Sequence, residues 1–362
     1  MLKEAFYDPK RSYEDNYDQG PFGDFSDGKK IEDPLKPPMH EFLGHKVNLP
    51  FGIPAGPLLN SNFVKAAFDK GFDVAVYKTI RADVFPSHPF PNVLPIHIEG
   101  DLTIERAKSP IVAGTEYVQP LSITNSFGVP SKNPSIWQED AKKAMSYAGE
   151  GQVMVLSFMG TVRPNQTEEE FIADFVRAAE LSAETGAKIL EGNLSCPNIG
   201  NEGLVCYNLN TTRKVVNKTR EKLGDIPLIW KVGYYESDKD LEVLAQIADE
   251  SRSSLSVINT IAAPIVDKDG NQALPGSPAR LKSGVCGSVI KWAGIDMVKR
   301  LDRIRKEKDY NFAIDGVGGV LTAQDYFDYK EAGADAVFSA TGAMWNSDLA
   351  LEIKNEVKRR LK

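Results

Sequence analysis

Short apolar runs of the 362-residue chain end repeatedly on side chains that can hydrogen-bond or carry charge. Lys78 and Thr79 follow one run, Asn193 to Asn198 (NLSCPN) another, and Lys231, then Asn259 with Thr260, close two more. Ala55 with Gly56, Gly316 to Gly319 (GVGG) and Ser339 to Gly342 (SATG) complete the set. Asparagine amides offer donors and acceptors together, so several converging on one place suit a planar heterocycle bearing C=O and N–H groups. Two lysines suit a ligand of anionic character. Gly318, Gly319 and the turn at Thr341 suit a phosphate held on backbone N–H groups. The set points to a phosphorylated cofactor beside a small polar ring.

Taken singly, each residue has a plainer explanation. A strand-end lysine is commonly a solvated surface group, and an asparagine commonly caps a turn. Cys196 alone reads as a small buried hydrophobe. GVGG is a weak signal in a chain with 29 glycines. There is no GxxxxGK[ST] and no GxGxxG after a first strand. His40, His45, His88 and His97 lack the HExxH spacing of a metal site, so no metal is assigned. The signal lies in the coincidence.

The elements that must position these residues follow from the pattern. Eight near-continuous apolar runs, Val47 to Ala55, Val74 to Ile80, Val153 to Met159, Lys188 to Ser195, Pro227 to Val232, Leu255 to Ile261, Phe312 to Asp315 and Ala336 to Ser339, have the character of parallel strands buried on both faces. Helical patterns lie between them. Ser135 with Gln138, Thr167 with Glu170 and Thr322 with Asp325 look like helix starts. Phe171, Phe175, Ala178 and Ala179 share one face, as do Leu241, Leu244, Ala245 and Ala248. A last helix is expected over about Ser347 to Leu361. Eight strands alternating with helices predict an α/β fold, a closed (β/α)₈ TIM barrel, whose functional residues gather at the carboxyl ends of the strands. Residues 1–46 form an N-terminal arm rich in proline and charge, and 47–362 the barrel. The segment 81–120 reads as an insertion after strand 2, packed over one end, with extended runs at Leu94 to Ile98 and Tyr117 to Thr124.

Composition narrows the function classes. Hydrophobic residues at 42% and charged residues at 26% are ordinary for a globular chain, and 50 acidic against 43 basic residues give a net charge of -7. Nucleic acid is therefore not expected as a partner. Cys196, Cys206 and Cys286 form neither a disulfide framework nor a zinc spacing. No run reaches 18 apolar residues and the first 28 lack an apolar signal core. The expectation is a cytoplasmic protein without a membrane partner.

The motifs together are more specific. NSFG (Asn125 to Gly128), NLSCPN, the lysine of WKVG (Lys231), the asparagine of INT (Asn259), SGVCG (Ser283 to Gly287) and GVGG occur in this order. From about Val47 to Ala350 the chain resembles the cysteine-base, class 1-like dihydroorotate dehydrogenases, and the related pyrimidine-binding domain of dihydropyrimidine dehydrogenase. The resemblance implies an FMN-bearing barrel that oxidises dihydroorotate to orotate in pyrimidine biosynthesis. Cys196 would be the base that removes the C5 proton while hydride passes from C6 to FMN. Asn125, Asn193, Asn198 and Asn259 would hydrogen-bond the substrate, with Thr260 beside them, and Phe127 and Gly128 would contact it through the loop. Lys78 would lie between flavin and substrate, and Lys231 near the N1/C2 side of the flavin. Ala55, Gly56, Thr79, Gly287, Gly318, Gly319 and Thr341 fall at flavin-contact positions.

Some positions depart from the family pattern. Phe127 stands where methionine is usual, Thr260 where serine is commoner and Ala340 where glycine is usual; VPSKNPSIW, after NSFG, also differs. Two alternatives follow: an FMN oxidoreductase of another dihydropyrimidine or cyclic amide, and a catalytically silent FMN-binding barrel. The likeness also implies a homodimer. The polar, proline-broken arm is unlike a membrane-docking helix pair. That leaves soluble acceptors such as fumarate, or NAD reached through an electron-transfer partner subunit with iron-sulfur clusters, because this chain carries no cluster ligands.

Overall fold

The structure, a computed structural model, describes residues 2–195, 204–276 and 280–361. In the arm, helix α1 (Tyr13–Gln19) is followed by the antiparallel hairpin β1 (His40–Phe42) and β2 (His45–Val47). Then come β3 (Phe51–Ile53), α2 (Ser61–Asp69) and β4 (Val74–Ile80). An excursion contributes β5 (Val93–Pro95), β6 (Ile111–Val112) and β7 (Ser122–Asn125) before α3 (Pro134–Met145). Regular alternation resumes with β8 (Val153–Phe158), α4 (Glu168–Ala183), β9 (Ile189–Asn193), α5 (Leu209–Leu223), β10 (Leu228–Val232), α6 (Asp238–Glu250) and β11 (Ser254–Val257). A second excursion adds β12 (Ile261–Val266) and β13 (Lys282–Gly287). The chain closes with α7 (Lys291–Lys308), β14 (Ile314–Val317), α8 (Ala323–Ala332), β15 (Ala336–Phe338), α9 (Thr341–Trp345) and α10 (Leu349–Arg360).

Strands β3, β4, β8, β9, β10, β11, β14 and β15 form a closed parallel barrel with helices between them, the (β/α)₈ fold expected. Period two explains why the runs look continuously apolar. Val74, Val76, Val153, Val155, Ile189 and Ile229 fill the interior, while Ala75, Tyr77, Met154, Leu156, Leu190 and Trp230 belong to the core beneath the helices. Phe42 and Val47 of the hairpin join the interior cluster and plug the end where the strands begin.

Several local expectations need correction. The helix α3 is capped by Asn133, whose side chain accepts from Ser135 N–H, with Pro134 at the first position; Ser135 is inside the helix. Capping boxes do start α4 at Thr167 and α8 at Thr322. The run from Val47 to Ala55 divides between hairpin and barrel strand. The run ending at Ile261 also divides, because β11 stops at Val257 and Ile261 opens β12. The extended run expected from Tyr117 begins only at Ser122, and the last helix is preceded by the separate short α9. Most consequentially, the roof is built by two excursions. Its five-stranded sheet has the order β5-β7-β13-β12-β6, so β12 and β13 of the second excursion supply its centre.

The arm is packed along the barrel. Phe6, Tyr7, Tyr13 and Phe25 are buried in the main core. At the far end Lys354 Nζ of α10 lies 2.7 Å from Asp73 and also pairs with Asp33 of the arm, Lys354 and Asp73 being buried and the Asp33 side chain nearly so.

Candidate functional site

A cavity of about 270 Å³ opens between the carboxyl ends of the barrel strands and the roof sheet. Ala55, Gly56, Lys78, Thr79, Asn193, Lys231, Asn259, Thr260, Gly318, Gly319 and Thr341 reach it from the barrel side. Asn125, Phe127, Gly128 and Gly287 reach it from the roof strands β7 and β13 and their loop. Residues called for by type and position along 287 positions of sequence thus share one wall-to-wall space. Cys196 and Asn198 lie outside the described residues; Ser195, just before them, lines the cavity.

Two buried ammonium groups dominate the electrostatics. Burial, with Lys231 and Arg81 adding repulsion, pushes Lys78 down to about 7. Among the described residues its Nζ has no carboxylate or hydrogen-bond partner, only the Phe127 ring, whose centroid is 5.2 Å away. Burial likewise lowers Lys231, while the Glu191 carboxylate favours its charge. Lys231 Nζ donates to the Ala55 carbonyl at 3.1 Å. Glu191, raised by burial, accepts from Ser157 Oγ at 2.9 Å, and Ser157 is 2.9 Å from Thr79 Oγ1, so a polar string runs from the cavity into the barrel.

Backbone shape prepares the glycine side of the cavity. Gly287 has φ +98° and Gly319 φ +68°, and an added Cβ would stand 2.3 Å from Leu121 O and 2.6 Å from Lys291 Cβ respectively. At Gly56 an added Cβ would meet no atom within 4 Å, which leaves open cavity beside the chain.

Other residues at the site escaped sequence reasoning. Cys286 Sγ accepts from Asn125 Nδ2 at 3.4 Å and from Thr341 Oγ1 at 3.5 Å, and its burial raises the thiol above its ordinary range. A neutral sulfur therefore orients one of the candidate amides. Arg81 grips the NSFG loop through the carbonyls of Gly128 at 3.1 Å and Val129 at 2.9 Å. Arg280 NH1 donates to the Ser126 carbonyl at 2.8 Å. Tyr7 of the arm also lines the cavity. Cys286 stood inside the SGVCG motif and Arg81 directly after the run ending at Ile80, but neither position by itself marked a role; Tyr7 and Arg280 offered only their side-chain type.

Residues 112–361 match the model of the dihydroorotate dehydrogenase family. The chain belongs to that family. A dihydroorotate dehydrogenase of Dictyostelium discoideum is 35% identical over 372 aligned positions, covering 99% of this chain and 98% of its own. The catalytic subunit of a dihydroorotate dehydrogenase B (NAD(+)) from Malacoplasma penetrans is 31% identical over 200 positions, 52% of this chain and 60% of its own. The corresponding Brachyspira hyodysenteriae subunit is 28% identical over 196 positions, 53% and 61% of the two chains. Membership of the dihydroorotate dehydrogenase family makes the protein an oxidoreductase acting on a CH–CH bond. Among the described residues no helix is long and apolar enough to cross a membrane.

Proposed function

We propose that this protein oxidises dihydroorotate to orotate with FMN, in the service of pyrimidine synthesis. The observation that carries the proposal is the cavity itself, where three asparagine amides and two buried lysines face close-packed glycines. The residues fit the cofactor. Gly287 and Gly319 keep backbone where a side chain cannot stand, Gly56 leaves open space, and Lys231 places a positive charge in a wall poor in carboxylates. Gly287, Gly318, Gly319 and Thr341 would hold the phosphate, with Ala55, Gly56, Thr79 and Lys231 along the ring system.

FMN supplies the two-electron acceptor that no side chain provides. The chain supplies orientation and proton chemistry. Asn125, Asn193, Asn198 and Asn259 present amides to the carbonyl and N–H edges of the pyrimidine, and the Lys78 ammonium draws in its carboxylate. Thr260, Phe127 and Gly128 close around the same ring. Cys196 would take the proton from C5, and a lysine charge and amide donors beside it would favour the thiolate it needs.

Anaerobic addition of dihydroorotate to the FMN-loaded protein tests the proposal. The visible flavin band should bleach, and dihydrouracil, which lacks the carboxylate, should leave it intact. No bleaching by dihydroorotate would overturn the assignment, and bleaching by dihydrouracil alone would move it to another dihydropyrimidine.

A further inference from the structure

Phe127 is braced on several sides. The Tyr7 ring meets it edge-on at 5.4 Å and 81°, the Tyr13 ring at 6.0 Å and 61°, and the Lys78 ammonium lies 5.2 Å from its centroid. Both tyrosines come from the arm and are buried, at 1% and 5% exposure. The arm is itself fixed there. Phe6 N–H donates to the Met344 carbonyl at 2.9 Å, Phe22 N–H to the Phe6 carbonyl at 3.0 Å, and Asn16 accepts from Asp8 N–H at 2.7 Å while its amide donates to the Asp8 carbonyl at 3.0 Å.

The electrostatics give this stack a direction. An aromatic ring carries negative potential on its faces and positive potential at its edge, so edge-on neighbours fix its plane while a face can stabilise a nearby cation. Lys78 has no carboxylate partner among the described residues. The orientation of Phe127 therefore governs both the ammonium and the loop 126–129 that carries the ring. The Tyr7 hydroxyl has no hydrogen-bond partner among the described residues, which assigns the contact to the ring.

We propose, on the dihydroorotate reading above, that Tyr7 is a positioning residue. By fixing Phe127 against Lys78 it sets the geometry in which the loop and the ammonium receive the pyrimidine. The N-terminal arm is then part of the substrate site. It acts on binding and leaves proton transfer to Cys196.

The test is orotate binding to the FMN-loaded protein, read from the perturbation of the flavin spectrum, together with KM and kcat for dihydroorotate. Tyr7→Leu should raise the orotate Kd and KM about three- to tenfold, with kcat nearly unchanged and FMN retained. Tyr7→Phe, which keeps the ring, should behave as the parent. In a Phe127→Leu background the Tyr7→Leu change should add little, because the two act through one contact. Parent-like Kd and KM in Tyr7→Leu, an undiminished effect in the Phe127→Leu background, or a defect in Tyr7→Phe would each overturn the proposal. Should Tyr7→Leu fail to retain FMN, Tyr13→Leu, which removes the second edge, is held to the same criteria. A parent protein that binds FMN but not orotate would overturn the substrate reading, a result separate from any of these.

Discussion

Lys78 ties the protonation of one side chain to recognition. Its pKa, pushed down to about 7 by burial, leaves it charged below that pH and increasingly neutral above. An anionic ligand prefers the charged form, so orotate affinity should fall as pH rises past about 7, by at most about tenfold per unit. Titrations between pH 6 and 9 check this, and Lys78→Met should flatten the profile. Cys196→Ala should retain FMN and slow flavin reduction about 10²- to 10⁴-fold in stopped-flow measurements. The polar residues at strand ends were legible because each interrupts an apolar run, and Lys78, Thr79, Asn193, Lys231, Asn259, Thr260 and Thr341 line one cavity, whereas Ser339, which does not line it, donates to the Val320 carbonyl. Cys286 and Arg81 were not, because their importance arises from partners far along the chain: Asn125 and Thr341 for the thiol, Gly128 and Val129 for the guanidinium.

At the level of elements, all eight barrel strands were legible, since strands sandwiched between helices and a filled interior must be apolar on both faces. The capping boxes of α4 and α8 were equally readable from side chains three residues apart. The second roof excursion was hidden. Residues 261–266 (IAAPIV) continue the apolar character of the preceding strand, and nothing local shows that 261–264 pair antiparallel with 282–285 while 265–266 pair parallel with 111–112. The arm was recognised by its prolines, but its anchorage was not, because Asp33 meets Lys354 across most of the chain. That anchorage makes a stability prediction. Lys354→Met leaves Asp73 and Asp33 buried without their cation and should cost about 3–5 kcal/mol in urea denaturation, the usual consequence of breaking a buried pair from one side. The loss should be smaller in Lys354→Met combined with Asp73→Asn.

On the scale of the whole molecule, the cavity joins barrel, roof and arm, so a ligand that fills it binds only the assembled state. Added FMN should therefore raise the thermal midpoint of cofactor-stripped protein in a concentration-dependent way, by about 2.7 kcal/mol of stability at a hundredfold excess over Kd. Calorimetric scans across FMN concentrations check this. The roof sheet has a consequence for biosynthesis. Strands β5, β6 and β7 leave the ribosome early, yet among the described residues β6 pairs only with β12, and β13 is the bridge that joins β7 to β12. Until residue 287 has been made, six staves of the barrel and an incomplete canopy with open strand edges wait for the remainder of the chain. Nascent chains halted before that point should be the species most in need of chaperone cover.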